Sequence, residues 1–443
     1  MVRVVPFKAY RYDEKAVGDT SKVVAPPYDV MKGEKLDRVQ ALSDKNIAHV
    51  TKNLPRKDDT DEENQYTRAR DLFHQWIDEG VLKQEEKECF YVYGQNFQVH
   101  GEELFRFGFI GLMELEDFAK EAPEGGKFSG VLQHEETLPK DIEDRLNLSR
   151  QCMAQFGQIF VIYPDHEGGV DEILERNMGN EPLMDVTDHQ EVRHRLWKID
   201  DDGDNKRITS LMDDKFVIIA DGHHRYKTAL ALSRENPELE TARYRMLTFV
   251  NMSNPGLVIL PTHRLVQNLE DFEGASLLQG LREYFIVKDH GTREGMFGEM
   301  ERLFKEGKHG FGLFMNDGKF YSMELQNTSR MDELRPDASP ELRKLDVAIL
   351  HSMILDEVLG IDKEKLLHGT MSGGGYVVYI KGIGDAVDES ISAVKGKAQA
   401  VFFMNPTRIE EVEAVSKNFE CMPQKSTFFH PKVWTGFTIN RLK

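Results

Sequence analysis

The sequence predicts a mixed fold, α/β or α+β, spread over more than one domain. Three observations carry this. Short β-branched or aromatic runs alternate with amphipathic stretches along the chain. One run, Lys215–Ala220 (KFVIIA), is apolar after its first residue and leads straight into a helical pattern, as expected of a strand buried on both faces. The length of 443 residues is about three domains' worth at roughly 150 residues each.

The elements follow in order. Val2–Ala9 reads as a first strand. Val24–Val30 contains Pro26 and Pro27, which exclude a central strand or a helix interior, so it is a rigid extended loop. Asp61–Glu79 is a helix with Tyr66, Ala69, Phe73, Trp76 and Ile77 on one stripe, stopped by Gly80. Phe90–Val99 and Leu104–Leu115 are strands joined through Gly101-Glu102-Glu103 as a hairpin. Asp117–Gly130 is a polar loop, Asp141–Met153 a helix and Gln158–Tyr163 a strand. Residues 188–214 are polar with moderate strand and helix character.

After KFVIIA, Tyr226, Ala229 and Leu230 share one side of a helix. Arg245–Met252 is a buried strand, Asn254-Pro255-Gly256 a turn, and Leu257–Leu260 a further strand. Beyond residue 265 the pattern restarts. Ser339-Pro340 supplies an N-cap and first position to a helix with the stripe Leu342, Leu345, Ile349 and Met353, ended by Gly360. Tyr376–Lys381, Asp385–Val394 and Ala400–Met404 resemble a βαβ unit. The expected division is residues 1–265 and 266–443, with no repeat and no low-complexity linker between them.

Composition limits the function. Hydrophobic residues at 40% and charged residues at 30% exclude a disordered or collagen-like chain. The net charge of −19 argues against a nucleic-acid partner but leaves room for a local basic pocket. The three cysteines, Cys89, Cys152 and Cys421, form no CxxC pair, which argues against structural zinc and fits a reducing cytosol. No signal-like start and no apolar run of about 18 residues is present. The expectation is a cytoplasmic protein without membrane contact, open to homo-oligomerisation.

Four motifs could carry chemistry. The first is Asp221-Gly222-His223-His224-Arg225 between the buried strand and its helix. Gly222 permits close backbone approach, the helix start attracts an anion, and Arg225 offers a planar fork for phosphate. The plainer reading is a helix start whose polar residues satisfy backbone donors. A zinc helix is disfavoured because His223 and His224 are adjacent, not four apart. The second is His134–Lys140 (HEETLPK) with Asp144 and Arg145, either a loop bringing base and cation to a substrate or a solvated helix start. The third is Ala25-Pro26-Pro27-Tyr28-Asp29, a carboxylate fixed beside rigid prolines or a capped turn. The fourth is Lys425-Ser426-Thr427, a phosphate binder or a strand edge. Neither GxxxxGK[ST], GxGxxG after a strand, GxSxG nor HExxH occurs. Gly373-Gly374-Gly375 fits a tight hairpin better than a ligand cradle.

With APPYDV, HEETLP ahead of Asp144-Arg145, IADGHHR, NPGLVILPTHR and MPQKSTFFHPK in that order, the chain resembles the domain-of-unknown-function family ten-fifteen from end to end. Some of its members carry a chromosome-partitioning, ParB-like label. The DGHHR turn is similar to the phosphate-binding turn of the ParB/sulfiredoxin superfamily, which includes free serine kinases. The resemblance implies a ParB/sulfiredoxin-like core over residues 1–265, interrupted by an insertion at about 90–210, plus a C-terminal α/β domain. It implies phosphate and metal contacts from Asp221, Gly222, His223, His224 and Arg225, with Asp221 and His223 toward Mg²⁺. Asp29 or Glu135 would be the base, and Lys140, Arg145 or Lys425 would reach the phosphate donor.

The implied activity moves phosphate from a nucleotide (ATP or ADP) or pyrophosphate to a small hydroxyl compound such as free L-serine. Two other readings stand beside it: a non-catalytic ParB-like nucleotide-binding or DNA-partitioning regulator, and a metal-dependent phosphoester hydrolase using His223 and His224.

Overall fold

The computed structural model describes residues 2–121, 130–135, 140–366 and 375–442, with the side chains of Lys140 and Asp141 left out. The chain divides into two units. One comprises 1–133, 137–258 and 431–443; the other comprises 134–136 and 259–430. The closing segment Pro431–Lys443 therefore belongs to the first unit, not to its neighbours in sequence.

The first unit is built on a nine-stranded mixed sheet. Its strands are β1 (Val4–Val5), β2 (Phe90–Val99), β3 (Glu102–Glu114), β4 (Gly130–Gln133), β5 (Ile159–Tyr163), β6 (Met184–Thr187), β7 (Arg193–Ile199), β8 (Phe216–Asp221) and β9 (Tyr244–Asn251). Their order is β4-β8-β5-β9-β3-β2-β7-β6, with β1 beside β3. Residues 90–210 supply six of these strands, including the central hairpin. The fold is thus mixed α and β, with parallel pairs at β4/β8 and β5/β9 and antiparallel pairs elsewhere.

Two elements differ from the sequence expectation. Val2–Ala9 forms a ladder over Val4–Val5 alone, because Pro6 has no N–H to continue it; Phe7 makes one isolated bridge to Cys89. The β2/β3 turn is His100-Gly101, with φ of 52° and 82°, closed by Val99 opposite Glu102. A two-residue turn with both φ positive matches strand twist, so Glu102 and Glu103 enter the strand.

The longer helices of this unit are α1 (Gln65–Asp78), α2 (Lys140–Cys152), α3 (Gly169–Met178), α4 (Asp202–Met212) and α5 (His223–Glu235). The first begins at 65 because the Asn64 side chain accepts from the Tyr66 and Thr67 amides. It buries Ala69, Phe73 and Trp76. The sheet core joins Phe90, Phe109, Ile159, Val217, Phe249 and Tyr226, with Phe109 and Phe249 stacked at 4.6 Å. Gly108 is required here, since a Cβ would stand 2.0 Å from the Phe249 carbonyl oxygen.

The second unit holds a six-stranded sheet in which every pair is antiparallel. Its strands are β10 (Thr262–Val266), β11 (Phe285–Asp289), β12 (Gly310–Met315), β13 (Phe320–Leu325), β14 (Val377–Lys381) and β15 (Ala400–Phe403). The expected βαβ unit is present in split form. Strands β14 and β15, joined through α6 (Ala386–Gly396), flank β10 on either side. The helix expected after Ser339 is capped by Ser339, whose hydroxyl accepts the Leu342 amide at 3.1 Å. It spans Pro340–Arg343, breaks at extended Leu345, resumes at Asp346, and ends before Gly360 at φ 63°. No helix among the described residues is long and apolar enough to cross a membrane.

Candidate functional site

Strand β8 is buried from Phe216 to Ala220 and delivers Asp221 at its end. The chain then turns at Gly222, with φ 102° and ψ 26°, a left-handed backbone that glycine adopts without strain. Helix α5 starts at once with His223. This is the strand–turn–helix expected from the sequence.

Asp221 is fully engaged. Lys432 Nζ donates to Oδ1 at 2.7 Å, and Arg225 Nη2 donates to Oδ2 at 2.9 Å. Burial alone would raise this carboxyl. The charges of Lys432 and Arg225, with the Lys432 hydrogen bond and a contribution from His223, outweigh burial and hold it well below the usual carboxylate range. Asp221 is therefore a fixed anion between two cations.

Arg225 links this triad to a pocket of about 70 Å³. A second edge of the guanidinium donates from Nη1 to the Gln158 carbonyl. Arg145 and Arg245 line the same pocket, with Tyr28, Gln155 and Thr435. Arg145, from α2, donates to Asp144 Oδ2 at 2.8 Å and to the Thr51 carbonyl at 2.8 Å. Its guanidinium lies 4.2 Å from the centre of the Tyr28 ring.

Arg245, from β9, is 6% exposed. It donates from Nη2 to the Gly157 carbonyl, and its buried Nε has no hydrogen-bond partner among the described residues. Burial and the neighbouring Arg225 charge push the Arg245 group down to about 9. Arg145 and Arg225 thus each hold a carboxylate, while Arg245 ion-pairs with none among the described residues. A buried cation beside another cation is costly unless an anion joins them.

The Pro-Pro loop is pinned against this pocket. Ala25 exchanges both backbone hydrogen bonds with Thr435, at 3.1 and 2.8 Å. Asn46 Nδ2 holds the Lys22 and Val24 carbonyls at 2.7 and 3.0 Å. Pro27 and Tyr28 line the pocket, and Asp29 follows, exposed, in a short 3₁₀ turn over Tyr28–Val30.

The other expected site residues fall elsewhere. Glu135 and Lys425 lie in the second unit and meet each other, the Lys425 amide donating to Glu135 Oε1 at 2.9 Å. Beside them His134 Nε2 contacts Thr427 Oγ1 at 2.8 Å, and the Met422 amide donates to the His134 carbonyl at 2.8 Å. His134-Glu135 and Lys425–Thr427 thus meet in one packed contact. The Lys140 side chain and residues 136–139 lie outside the described residues, as do Gly373 and Gly374. His223 is buried and His224 half-buried at the start of α5.

The expected Mg²⁺ set does not fit these residues. Both Asp221 oxygens are taken by cations, and no group of three or more His, Cys, Asp or Glu able to hold a metal occurs among the described residues. Sequence reasoning missed Arg245 and Lys432. Arg245 reads as the polar end of an apolar strand. Lys432 sits in the same closing motif as Lys425, but the contact it makes spans 211 positions.

Residues 4–348 match the family described as "Protein of unknown function (DUF1015)". No curated protein matches the chain. Solved structures with some likeness include a conserved hypothetical protein from Pyrococcus furiosus. It shows 13% identity, 68% of this chain and 89% of that one covered, and a TM-score of 0.32. A free serine kinase in complex with AMP shows 14% identity, 68% and 86% coverage, and a TM-score of 0.32. SbnI with a C-terminal truncation from Staphylococcus aureus shows 11% identity, 71% and 85% coverage, and a TM-score of 0.31.

Proposed function

The chain belongs to the DUF1015 family of proteins of unknown function, and from that premise we propose that it is a phosphotransferase. It moves a phosphate from a nucleotide or pyrophosphate to a small hydroxyl compound, free L-serine first among them. The observation that carries this reading is the convergence of Arg145, Arg225 and Arg245 on one pocket, with Arg245 buried and lacking a carboxylate partner among the described residues. Guanidinium forks match phosphate oxygens in geometry and charge. In a chain of net charge −19, such a cluster is a local anion site and not part of a basic surface.

Phosphoryl transfer is mostly positioning and charge neutralisation. Arg245 and Arg225 hold the transferring group, and Arg145, braced by Asp144 and Tyr28, closes the third side. Lys432 and Arg225 fix Asp221 so that the turn at Gly222 keeps its shape. Asp29, exposed beside Tyr28, takes the hydroxyl proton as the serine oxygen bonds to phosphorus and the bond from phosphorus to the donor's bridging oxygen breaks. The three arginines contribute charge neutralisation from the chain itself.

The test is formation of O-phosphoserine from L-serine with ATP, ADP or pyrophosphate, Mg²⁺ present, followed by mass spectrometry. One donor is expected to support turnover. Absence of product with all three, from folded protein, contradicts the proposal.

A further inference from the structure

The second unit contains a larger cavity of about 490 Å³, a volume in the range of small-molecule sites. The reaction proposed above makes no use of it. Part of its wall is apolar, with Leu342, Ile361 and Met422. The rest includes Arg335, His351 and Tyr379.

Against these residues lies Arg264 of β10, 0% exposed. Its guanidinium is 5.2 Å from the centre of the Tyr379 ring. It donates to the Lys425 carbonyl at 3.1 Å and to His351 Nε2 at 3.3 Å. A nitrogen that accepts from a guanidinium carries no proton, so His351 is neutral with its proton on Nδ1. Burial, then the charges of Arg264 and Arg335, push the imidazole the same way. The Nε atoms of Arg264 and Arg335 are buried and have no hydrogen-bond partner among the described residues. Neither arginine has an ion pair there, Arg264 donating to carbonyls and to His351. Of the acids on the lining, Asp337 and Asp356 are exposed, and Glu420 accepts the Ser339 amide on Oε1 at 2.8 Å, its buried Oε2 having no hydrogen-bond partner among the described residues.

Arg335, a neutral imidazole and a phenol thus line a cavity with apolar walls, with buried Arg264 behind them; no carboxylate ion-pairs with either arginine among the described residues, although the charge of Glu135 acts on Arg264 and Tyr379. We propose that this cavity binds a small organic oxyanion, a phosphate or carboxylate carried on an apolar body. Arg335, His351 and Tyr379 receive the anionic group, and Leu342, Ile361 and Met422 surround the body. The buried charge of Arg264 supports this end of the site electrostatically.

Cys421 lines the same cavity and is half-buried, whereas Cys89 and Cys152 are buried. Alkylation of Cys421 by iodoacetamide, measured on its peptide by mass spectrometry, therefore reports on this cavity separately from the first unit. AMP at about four times its Kd is expected to slow alkylation about fivefold, by simple occupancy. Adenosine, which lacks the anion, is expected to have no effect. Parallel reactions with inorganic phosphate and L-glutamate distinguish the two sources of the anion, and protection by either supports the site.

Arg335→Met should erase protection without changing the unprotected rate. Arg245→Met, in the first unit, should leave protection intact, so failure here and failure of the phosphotransferase reading are separable. The proposal is overturned if AMP, inorganic phosphate and L-glutamate all leave the rate unchanged. It is equally overturned if adenosine protects as well as AMP, or if protection survives in folded R335M. Should R335M not fold, the comparison of AMP with adenosine on the intact chain decides.

Discussion

Asp221→Asn is expected to cost about 3 kcal/mol of stability or more and to remove detectable phosphoryl transfer. The carboxylate answers two cations at once, Lys432 at 2.7 Å and Arg225 at 2.9 Å. Asparagine keeps the shape but leaves both cations without their anion, and breaking one side of a buried pair costs roughly 3–5 kcal/mol. Arg225 is also the residue that joins the turn to the arginine pocket, so the loss reaches the site directly. Chemical denaturation of wild type and variant measures the first effect.

The same carboxylate sets a pH dependence. Its folded-state pKa is depressed below the unfolded value of about 3.9. Its stabilisation is therefore complete above that unfolded value and fades as pH falls through the lower, folded one. In Asp221→Asn the acid limb of the stability profile should flatten in that range. An unchanged acid limb would show that the triad contributes nothing to folding.

Asp29→Asn should lower turnover by about 10²–10⁴-fold, the usual contribution of a general base, while leaving donor affinity within about twofold of wild type. The residue is exposed and has no side-chain role in the 3₁₀ turn that carries it, so the variant should melt with the wild type. The loop around it is already held by the Ala25–Thr435 bridge and by Asn46. Steady-state kinetics with the donor varied makes the distinction. A fall in affinity with unchanged kcat would move Asp29 from proton acceptor to binding residue.

The sequence made local features legible and hid distant ones. The run KFVIIA, the glycine after Asp221 and the helix behind it act through neighbouring residues, and β8, Gly222 and α5 follow from them. Arg145 and Arg225 were visible because each stands in a compact polar motif. Arg245 was not, because a charged residue opening an apolar strand ordinarily faces water. Here β9 lies between β5 and β3 within the sheet, and its first residues are carried inward.

Lys432 and Glu135 show the same limit from two sides. Lys432 reaches Asp221 across 211 positions, and Glu135 meets Lys425 across 290. Residue type marked Glu135 and Lys425 as chemically able, but nothing in spacing told that they satisfy each other. The hairpin turn slipped by one residue for a milder reason. His100 takes φ 52°, a left-handed conformation that residues other than glycine adopt only occasionally.

The central claim is that the arginine pocket of the first unit binds phosphate. Isothermal titration of pyrophosphate into the intact chain and into Arg245→Met tests it most directly. The variant should stay folded, since the change removes a buried cation that no carboxylate balances among the described residues. The account predicts saturable binding to the wild type and affinity about 30-fold weaker in the variant, the equivalent of about 2 kcal/mol from lost charge-assisted hydrogen bonds. Equal affinity in the two proteins, or no binding to folded wild type, would contradict it.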